Sequence, residues 1–182
     1  PDREYVETIA RRARSAVELT QSARSLAAVM LQAEPETEPM PLASTLETQV
    51  AETRSTYPEA EIAIADEVPD VSVVGNELLS SVFRNLLKNA VQHNDEPEPT
   101  VEVSVATDAD TVTVSVADNG PGVPDHRKED IFGKGEKGLE SGGTGVGLYL
   151  VRTLAESYGG SVAVSDNDPV GAVFSVTLPR AD

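Results

Sequence analysis

The sequence predicts an α+β fold in which helices cover one face of a mixed, mostly antiparallel sheet. Segments in which Val alternates with polar residues predict strands buried on one face, among them a hairpin over 100–106 and 111–117. Longer segments with apolar residues three and four positions apart predict helices over 42–56, 76–92 and 146–158. Because these helices can cover one face of the sheet, we expect a two-layer sandwich, and no internal repeat is evident.

The remaining elements follow from local composition. Alternating residues predict strands over 61–65 and 71–74, and a final strand pair over 161–165 and 172–178 that is joined by an Asn-Asp-Pro turn. A short helix is expected within 124–131. Residues 133–143 are polar and rich in Gly, which predicts a mobile loop.

The first part of the chain predicts a long helix that precedes the sandwich. Residues 2–32 contain neither Gly nor Pro, and at 1.5 Å per residue they would extend roughly 45 Å. Residues 34–41 hold three Pro and three Glu, which predicts a linker. We therefore expect a helix over 1–33, a linker over 34–41 and a globular domain over 42–182. The helical stripe is narrow and rich in Ala, which favours one half of a helical hairpin, whose other half lies upstream, over a plain surface helix. Its small and apolar members are Val6, Ile9, Ala13, Ala16, Thr20, Ala23, Ala27 and Met30.

Composition excludes several functional classes. The chain has no Cys, so disulfides, thiolate metal sites and Cys nucleophiles are excluded. Its 31 acidic and 14 basic residues give a net charge of −17, which disfavours nucleic acid and anionic membranes as partners. No apolar run approaches the ~20 residues of a membrane span. Four Lys against ten Arg on so acidic a chain favour a halophilic, haloarchaeal source over an ordinary acidic protein. The first residue is Pro, and we expect the sequence to be part of a longer protein.

Two asparagines on the predicted helix 76–92 form a candidate metal site. Asn85 and Asn89 are four residues apart, so they lie on one helical face, one turn from each other. The neutral carbonyl oxygen of Asn is a suitable ligand for Mg²⁺, which takes its other ligands from water and substrate phosphates. Two asparagines on a helix are also ordinary surface residues, so this pair alone decides nothing.

Three further segments are candidate nucleotide contacts. Residues 118–122, Asp-Asn-Gly-Pro-Gly, end a Val-rich strand, and a carboxylate there can accept a hydrogen bond from an amino group such as adenine N6. Residues 131–138 join the apolar pair Ile-Phe to a loop that holds two of the four lysines. Residues 142–148, Gly-Gly-Thr-Gly-Val-Gly-Leu, lead into a helix, so their backbone amides can approach phosphates. Each segment alone is also typical of an ordinary turn or loop.

In this order the four segments resemble the N, G1, F and G2 boxes of the histidine-kinase catalytic domain. That family shares its ATP-binding fold with gyrase, the MutL repair proteins and heat-shock chaperones, and the resemblance covers about residues 42–178. It implies ATP and Mg²⁺ as cofactors, with Mg²⁺ on Asn89 and adenine on Asp118. It implies catalytic roles for Asn85, near the phosphates and metal-bound water, and for Lys134, near the γ-phosphate. The other implied nucleotide contacts are His93, Gly120, Gly122, Phe132, Lys137, Gly143, Thr144, Gly145, Val146, Gly147 and Leu148.

The first residue of the N box separates the branches of this family. The hydrolysing branches and the serine kinases carry Glu there, which acts as a general base. An amide cannot take a proton, so Asn85 favours transfer to histidine over hydrolysis. The chain departs from the family at Gln92, where many members have a basic residue. Neutralisation of the phosphates would then depend on Lys134, Lys137 and Mg²⁺.

The resemblance therefore implies a protein-histidine kinase of a two-component signalling system. His93 and His126 lack the flanking pattern of the family's acceptor box, so we expect the acceptor histidine on a helix upstream of residue 1. The implied partners are that helix, a response regulator and a second copy joined through the N-terminal helix. The expected location is cytoplasmic, with any membrane anchor elsewhere in the protein. The alternatives are a nucleotide-responsive interaction module without transfer activity and an anti-sigma-type serine kinase.

Overall fold

A computed structural model describes residues 36–133 and 146–181, together with single positions between 5 and 27. Within the two continuous ranges the chain forms a sheet and three helices longer than one turn. The helices are α1 (Leu42–Thr56), α2 (Leu79–Gln92) and α3 (Gly147–Ser157). The strands are β1 (Glu38–Pro41), β2 (Glu61–Ile64), β3 (Ser72–Gly75), β4 (Thr100–Thr107), β5 (Thr111–Asp118), β6 (Ser161–Asp166) and β7 (Ala172–Ala181).

The sheet is mixed and mostly antiparallel, as the sequence predicts. Its strand order is β1-β3-β7-β5-β4-β2, and β6 pairs with β7 beside this path. Only the pairing of β2 with β4 is parallel. The ten-residue β7 is the centre of the sheet, because β5 follows one of its edges while β6 and β3 share the other.

The core lies between one face of the sheet and the three helices. Alternate residues of β5 and β7 face the helices and are buried, whereas the other face carries small polar residues. On that second face hydroxyl pairs link β5 to β7, from Thr113 to Thr177 and from Ser115 to Ser175, each at 2.9 Å. The alternation of Val with Ser or Thr is therefore the signature of a sheet covered on one side. The fully buried side chains include Leu42, Leu46, Val73, Leu79, Val82, Phe83, Leu86, Leu87, Leu150, Leu154 and Leu178.

Three expectations about element boundaries need correction. The last four residues of the expected linker 34–41 form β1, an edge strand that pairs with β3. The expected helix 76–92 begins at Leu79, because the Asn76 side chain accepts a hydrogen bond from the backbone N–H of Leu78 at 3.0 Å and forms a turn there. The short helix expected within 124–131 is a single 3₁₀ turn, Asp125–Arg127.

The described positions between 5 and 27 are all helical, in agreement with the predicted N-terminal helix. Several large apolar side chains on this helix are exposed, including Tyr5 at 71%, Val6 at 64% and Ile9 at 65%. Within the part of the chain that the structure describes, no helix has the length and apolar character needed to cross a bilayer. The Gly-rich segment expected to be a mobile loop lies almost wholly outside the described residues.

Candidate functional site

Asp118 ends β5 with only 7% of its surface exposed. Its Oδ1 atom accepts hydrogen bonds from the backbone N–H groups of Gly120 at 2.9 Å and Ala172 at 3.2 Å. Burial raises the pKa of this carboxyl group, and the two hydrogen bonds oppose the rise. Among the described residues no hydrogen bond is made to Oδ2. The carboxylate is thus fixed through one oxygen and has a second oxygen that can accept from a ligand.

The two predicted glycines of this loop are required by close approach. A Cβ atom on Gly120 would lie 3.1 Å from Asp118 Oδ1 and 3.3 Å from the Cα atom of Asn94. Gly122 has a φ of +74°, which favours glycine, and a Cβ atom there would lie 3.0 Å from a backbone oxygen. Gly120 therefore lets the backbone pass close to the carboxylate, and Gly122 lets it pass close to the backbone of Gly171.

Asn119 and Asn94 form a connection that the sequence did not reveal. The Oδ1 atom of Asn119 accepts hydrogen bonds from Asn94 Nδ2 at 2.7 Å and from the backbone N–H of Thr100 at 2.9 Å. Asn94 follows α2, so this bond ties the end of that helix to the loop after β5. Asn-Gly and His-Asn look like ordinary turn residues in sequence, and their spacing of 25 positions gives no signal of contact.

Asn85 lies on the face of α2 that meets the start of α3. Asn85 Nδ2 donates a hydrogen bond to the backbone oxygen of Ser81 at 2.7 Å. Its Oδ1 atom lies 2.8 Å from the point where a Cβ atom on Gly147 would stand. The N-box helix and the end of the G2 segment are therefore brought together. Asn89 is half-buried one turn later, and its side-chain amide makes no hydrogen bond among the described residues.

His93 and Gln92 stand at the end of α2. The pKa of His93 is lowered, first by partial burial of the ring and second by the nearby charge of Lys88. This favours the neutral imidazole at neutral pH. Gln92 Nε2 donates to the hydroxyl group of Tyr57 at 2.8 Å, which joins the end of α2 to the residue after α1. Gln92 is exposed and makes this hydrogen bond at the position where the resemblance leads us to expect a basic residue.

Phe132 fixes the start of the segment that leads to the Gly-rich loop. It is buried and packs edge-on against Phe174 of β7, with ring centroids 6.2 Å apart and planes at 80°. Five of the predicted site residues lie outside the described residues, so their positions stay predictions. They are Lys134, Lys137, Gly143, Thr144 and Gly145.

A family model matches this chain from residue 75 to residue 182, and its description is the histidine kinase-, DNA gyrase B-, and HSP90-like ATPase. The sensor histidine kinase DpiB from Escherichia coli K12 is 36% identical over 106 residues, which are 56% of this chain and 19% of DpiB. The chain thus spans about a fifth of the length of such curated relatives.

Solved structures agree with this family. The mycobacterial sensor histidine kinase MprB superposes with a TM-score of 0.72 at 23% identity, covering 80% of this chain and 98% of that one. At this identity the likeness concerns the fold alone. Full-length ShkA, solved in complex with AMPPNP, has a TM-score of 0.75 at 26% identity, covering 98% of this chain and 39% of that one.

The predicted fold and family are therefore confirmed, and membership of the family supports the binding of ATP. The four boxes read from the sequence occur in a chain whose described core has the expected sheet and helices. This chain belongs to the family of histidine kinase-, DNA gyrase B-, and HSP90-like ATPases.

Proposed function

We propose that this chain is the ATP-binding catalytic part of a sensor histidine kinase. It transfers the γ-phosphate of Mg-ATP to a histidine outside residues 1–182, for onward transfer to a response regulator. The observation that carries this proposal is the placement of Asn85 opposite Gly147, at the start of α3. Its curated relatives are sensor kinases, which supports the same choice within the family.

Asn85 disfavours hydrolysis because its amide cannot remove a proton from water. Its Nδ2 group donates to the backbone oxygen of Ser81, and its carbonyl Oδ1 is the atom that faces the start of α3. An acceptor oxygen in this position can orient a polar group or a metal-bound water but cannot act as the base. A neutral imidazole is a good nucleophile at neutral pH and needs less help from a base. Phosphoryl transfer then depends on positioning and charge neutralisation.

Adenine recognition is assigned to Asp118, whose Oδ2 atom can accept a hydrogen bond from the exocyclic amine. Gly120, Gly122 and the buried Phe132 would shape the pocket around the base. The half-buried start of α3 would face the phosphates with its backbone N–H groups. The described contributors there are Val146, Gly147 and Leu148, and we assign the same role to Gly143, Thr144 and Gly145. Lys134 and Lys137 would supply positive charge, and His93 would lie near the phosphates or the ribose.

The residues present fit one Mg²⁺ ion held by Asn89. Its amide makes no side-chain hydrogen bond among the described residues, and an amide oxygen is a hard ligand. No group of three or more acidic or histidine side chains that could enclose an ion occurs within 36–133 and 146–181. The ion would thus be shared with phosphate oxygens and water, and it would neutralise phosphate charge when bound.

The N-terminal helix, the start of the catalytic domain and its location in the cell are assigned as follows. Exposed Tyr5, Val6, Ile9 and Val17 support pairing of the N-terminal helix with other helices, in a homodimer whose acceptor histidine stands on a neighbouring helix. Residues 1–33 would be this helix, and the catalytic domain would begin near β1. The domain would work in the cytoplasm, whether or not the whole protein is anchored in a membrane. The halophilic source stays a prediction, to be tested by unfolding in low and molar KCl.

The test is phosphate transfer in trans. The chain is mixed with Mg²⁺, ATP labelled at the γ-phosphate and an acceptor-helix hairpin of a sensor histidine kinase. We expect acid-labile phosphate on the hairpin, little label on this chain and slow release of free phosphate. The control is a hairpin with its acceptor histidine replaced by Gln.

Other outcomes would select the alternatives. Rapid release of phosphate without a hairpin would indicate an ATPase, and acid-stable phosphoserine on a partner would indicate a serine kinase. ATP binding without transfer to any of several hairpins would indicate a nucleotide-responsive interaction module. Stable acid-labile label on His93 or His126 would refute an acceptor outside this chain.

A further inference from the structure

The loop between β6 and β7 is a five-residue turn, 167–171, that lies against the end of β5. Asn167 closes the turn on itself, because its backbone N–H donates to the backbone oxygen of Gly171 at 3.0 Å. Its Oδ1 atom accepts from the backbone N–H of Asp168 at 3.0 Å. Its Nδ2 atom donates outside the turn, to the backbone oxygen of Asp118 at 2.9 Å. One side chain therefore both shapes the turn and joins it to the residue that carries the free carboxylate oxygen.

This contact stands where the β5–β7 ladder ends. The last paired residues are Ala117 and Val173, so Asp118 lies one residue beyond the regular pairing. A strand residue in this place would leave its backbone oxygen without a ladder partner. The amide of Asn167 supplies the missing donor. The main chain of Asp118 is thereby held on its β7 side, where that ladder has ended, while on its other side it still pairs with Val101 of β4.

Gly171 allows the turn to approach the backbone of Asp118 closely. Its φ is +116°, and a Cβ atom there would overlap the backbone oxygen of Asp118 and lie 2.7 Å from its carbonyl carbon. No other residue type allows this contact. Because Gly171 immediately precedes Ala172, the same approach places the Ala172 N–H where it donates to Asp118 Oδ1. The turn therefore fixes Asp118 at two points, the backbone oxygen and the carboxylate.

The start of the turn is itself anchored. Asp166, the residue before Asn167, pairs with Lys128 through its Oδ2 atom at 2.8 Å, and Lys128 also pairs with Asp125 at 2.6 Å. Lys128 follows the 3₁₀ turn after the loop 118–122, so both sides of the loop are tied to the end of β6. Such exposed ion pairs contribute little stability alone, but they limit the directions in which the turn can move.

We propose that the turn 167–171 determines selectivity for adenine, with Asn167 and Gly171 as positioning residues that hold Asp118 in the orientation that accepts from the adenine amino group. Gly120 N–H and Ala172 N–H both occupy Oδ1, so the rotation of the carboxylate decides where Oδ2 points. Loss of the turn's support frees that rotation and weakens the one contact that distinguishes adenine from a purine without the amine. The inference rests on the proposed adenine role of Asp118.

The experiment compares two ligands on the whole 182-residue chain by titration calorimetry. ATP carries the exocyclic amine, and purine riboside triphosphate has hydrogen in its place. In the unaltered chain ATP should bind about tenfold more tightly, the effect of one hydrogen bond to a charged acceptor. In Asn167→Ala the affinity for ATP should fall about fivefold while that for the analogue stays unchanged. The ratio of the two affinities, which measures the preference for ATP, therefore falls toward one. Val170→Ala, an exposed change in the same turn, should leave both affinities unchanged.

The ratio of the two affinities separates positioning from folding. A variant that is partly unfolded binds both ligands less well by the same factor, so equal losses in Asn167→Ala would overturn the inference and leave a merely structural turn. An unchanged preference for ATP in Asn167→Ala would also overturn it. A preference near one in the unaltered chain would remove the adenine role of Asp118, and the inference with it. Asn167→Asp, which places an acceptor against the Asp118 backbone oxygen, should contract the preference at least as much.

Discussion

Replacement of Asp118 by Asn tests the base recognition at a single oxygen. Both backbone donors, Gly120 N–H and Ala172 N–H, point at Oδ1, so an asparagine amide must place its oxygen there to keep both bonds. The Nδ2 group of the new amide then occupies the place of Oδ2. A hydrogen-bond acceptor that faces the ligand becomes a donor, while the shape of the side chain is conserved.

The expected loss follows from the kind of hydrogen bond removed. A hydrogen bond to a charged acceptor contributes about 1.5–3 kcal/mol. Since about 1.4 kcal/mol corresponds to a tenfold change in affinity, ATP should bind about 10- to 100-fold less tightly. Guanine carries an oxygen where adenine carries the amine, and that oxygen can accept from Nδ2. The affinity for GTP should therefore rise or stay constant in Asp118→Asn while the affinity for ATP falls.

The assay is calorimetric titration of both nucleotides into the unaltered chain, Asp118→Asn and a matched control. Asp108→Asn makes the same change of charge at an exposed position in the β4–β5 turn. It should bind ATP as the unaltered chain does. The reasoning is refuted if Asp118→Asn keeps full ATP affinity, or if ATP and GTP weaken by the same factor.

Three other changes probe the metal, the core and the pH dependence. Asn89→Ala should abolish the gain in ATP affinity that Mg²⁺ gives, because it removes the proposed protein ligand, whereas Gln92→Ala should keep that gain. Titrations of ATP with Mg²⁺ and with EDTA measure the gain in each variant. A gain retained in Asn89→Ala would contradict the metal assignment. Phe174→Ala should lower the free energy of unfolding in urea by about 3–5 kcal/mol, since Phe174 is 2% exposed and packs against Phe132. Val173→Ala changes the opposite face of the same strand and serves as the comparison. A smaller loss of unfolding free energy in Phe174→Ala than in Val173→Ala would contradict the prediction. The pKa of Asp118 is raised by burial from 3.8, so its ionisation favours the unfolded chain. Stability from this group is present below pH 3.8 and is lost as pH rises through the raised pKa. The free energy of unfolding of Asp118→Asn should therefore increase relative to that of the unaltered chain across that pH interval. Urea unfolding as a function of pH measures this difference, and a difference that shrinks with rising pH would contradict the argument.

The sequence predicts most of the fold because local periodicity reports burial. The alternating Val of β4 and β5 and the broad apolar face of α2 each reflect one covered side. All three elements occur within three residues of their expected bounds. It fails at β1, where Pro39 and Pro41 suggest a linker. Proline is tolerated in an edge strand, where some backbone N–H groups need no partner, and β1 is such an edge.

The residues of the candidate site also fall into those that the sequence predicts and those that it does not. Asn85, Asp118 and Phe132 are predicted because their segments, taken in order, resemble the boxes of the histidine-kinase catalytic domain. Asn167 and Ala172 are not, because they act on Asp118 from 49 and 54 positions away, through a turn that looks ordinary in sequence. Contacts of this kind arise only from the pairing of β5 with β7. No local pattern records them.

The edge strand β1 also sets the length of a tether. Because Glu38–Pro41 is paired with β3 and α1 begins at the next residue, the chain is part of the folded domain from residue 38 onward. Of the eight residues expected to link the N-terminal helix to the domain, 34–41, the last four belong to this strand, so the predicted linker would shorten to four residues. At 3.3–3.6 Å per residue a joint of four spans at most about 14 Å, half of what eight would allow. Under the proposed function, a catalytic domain attached through so short a linker would reach only acceptor groups close to the end of its own helix.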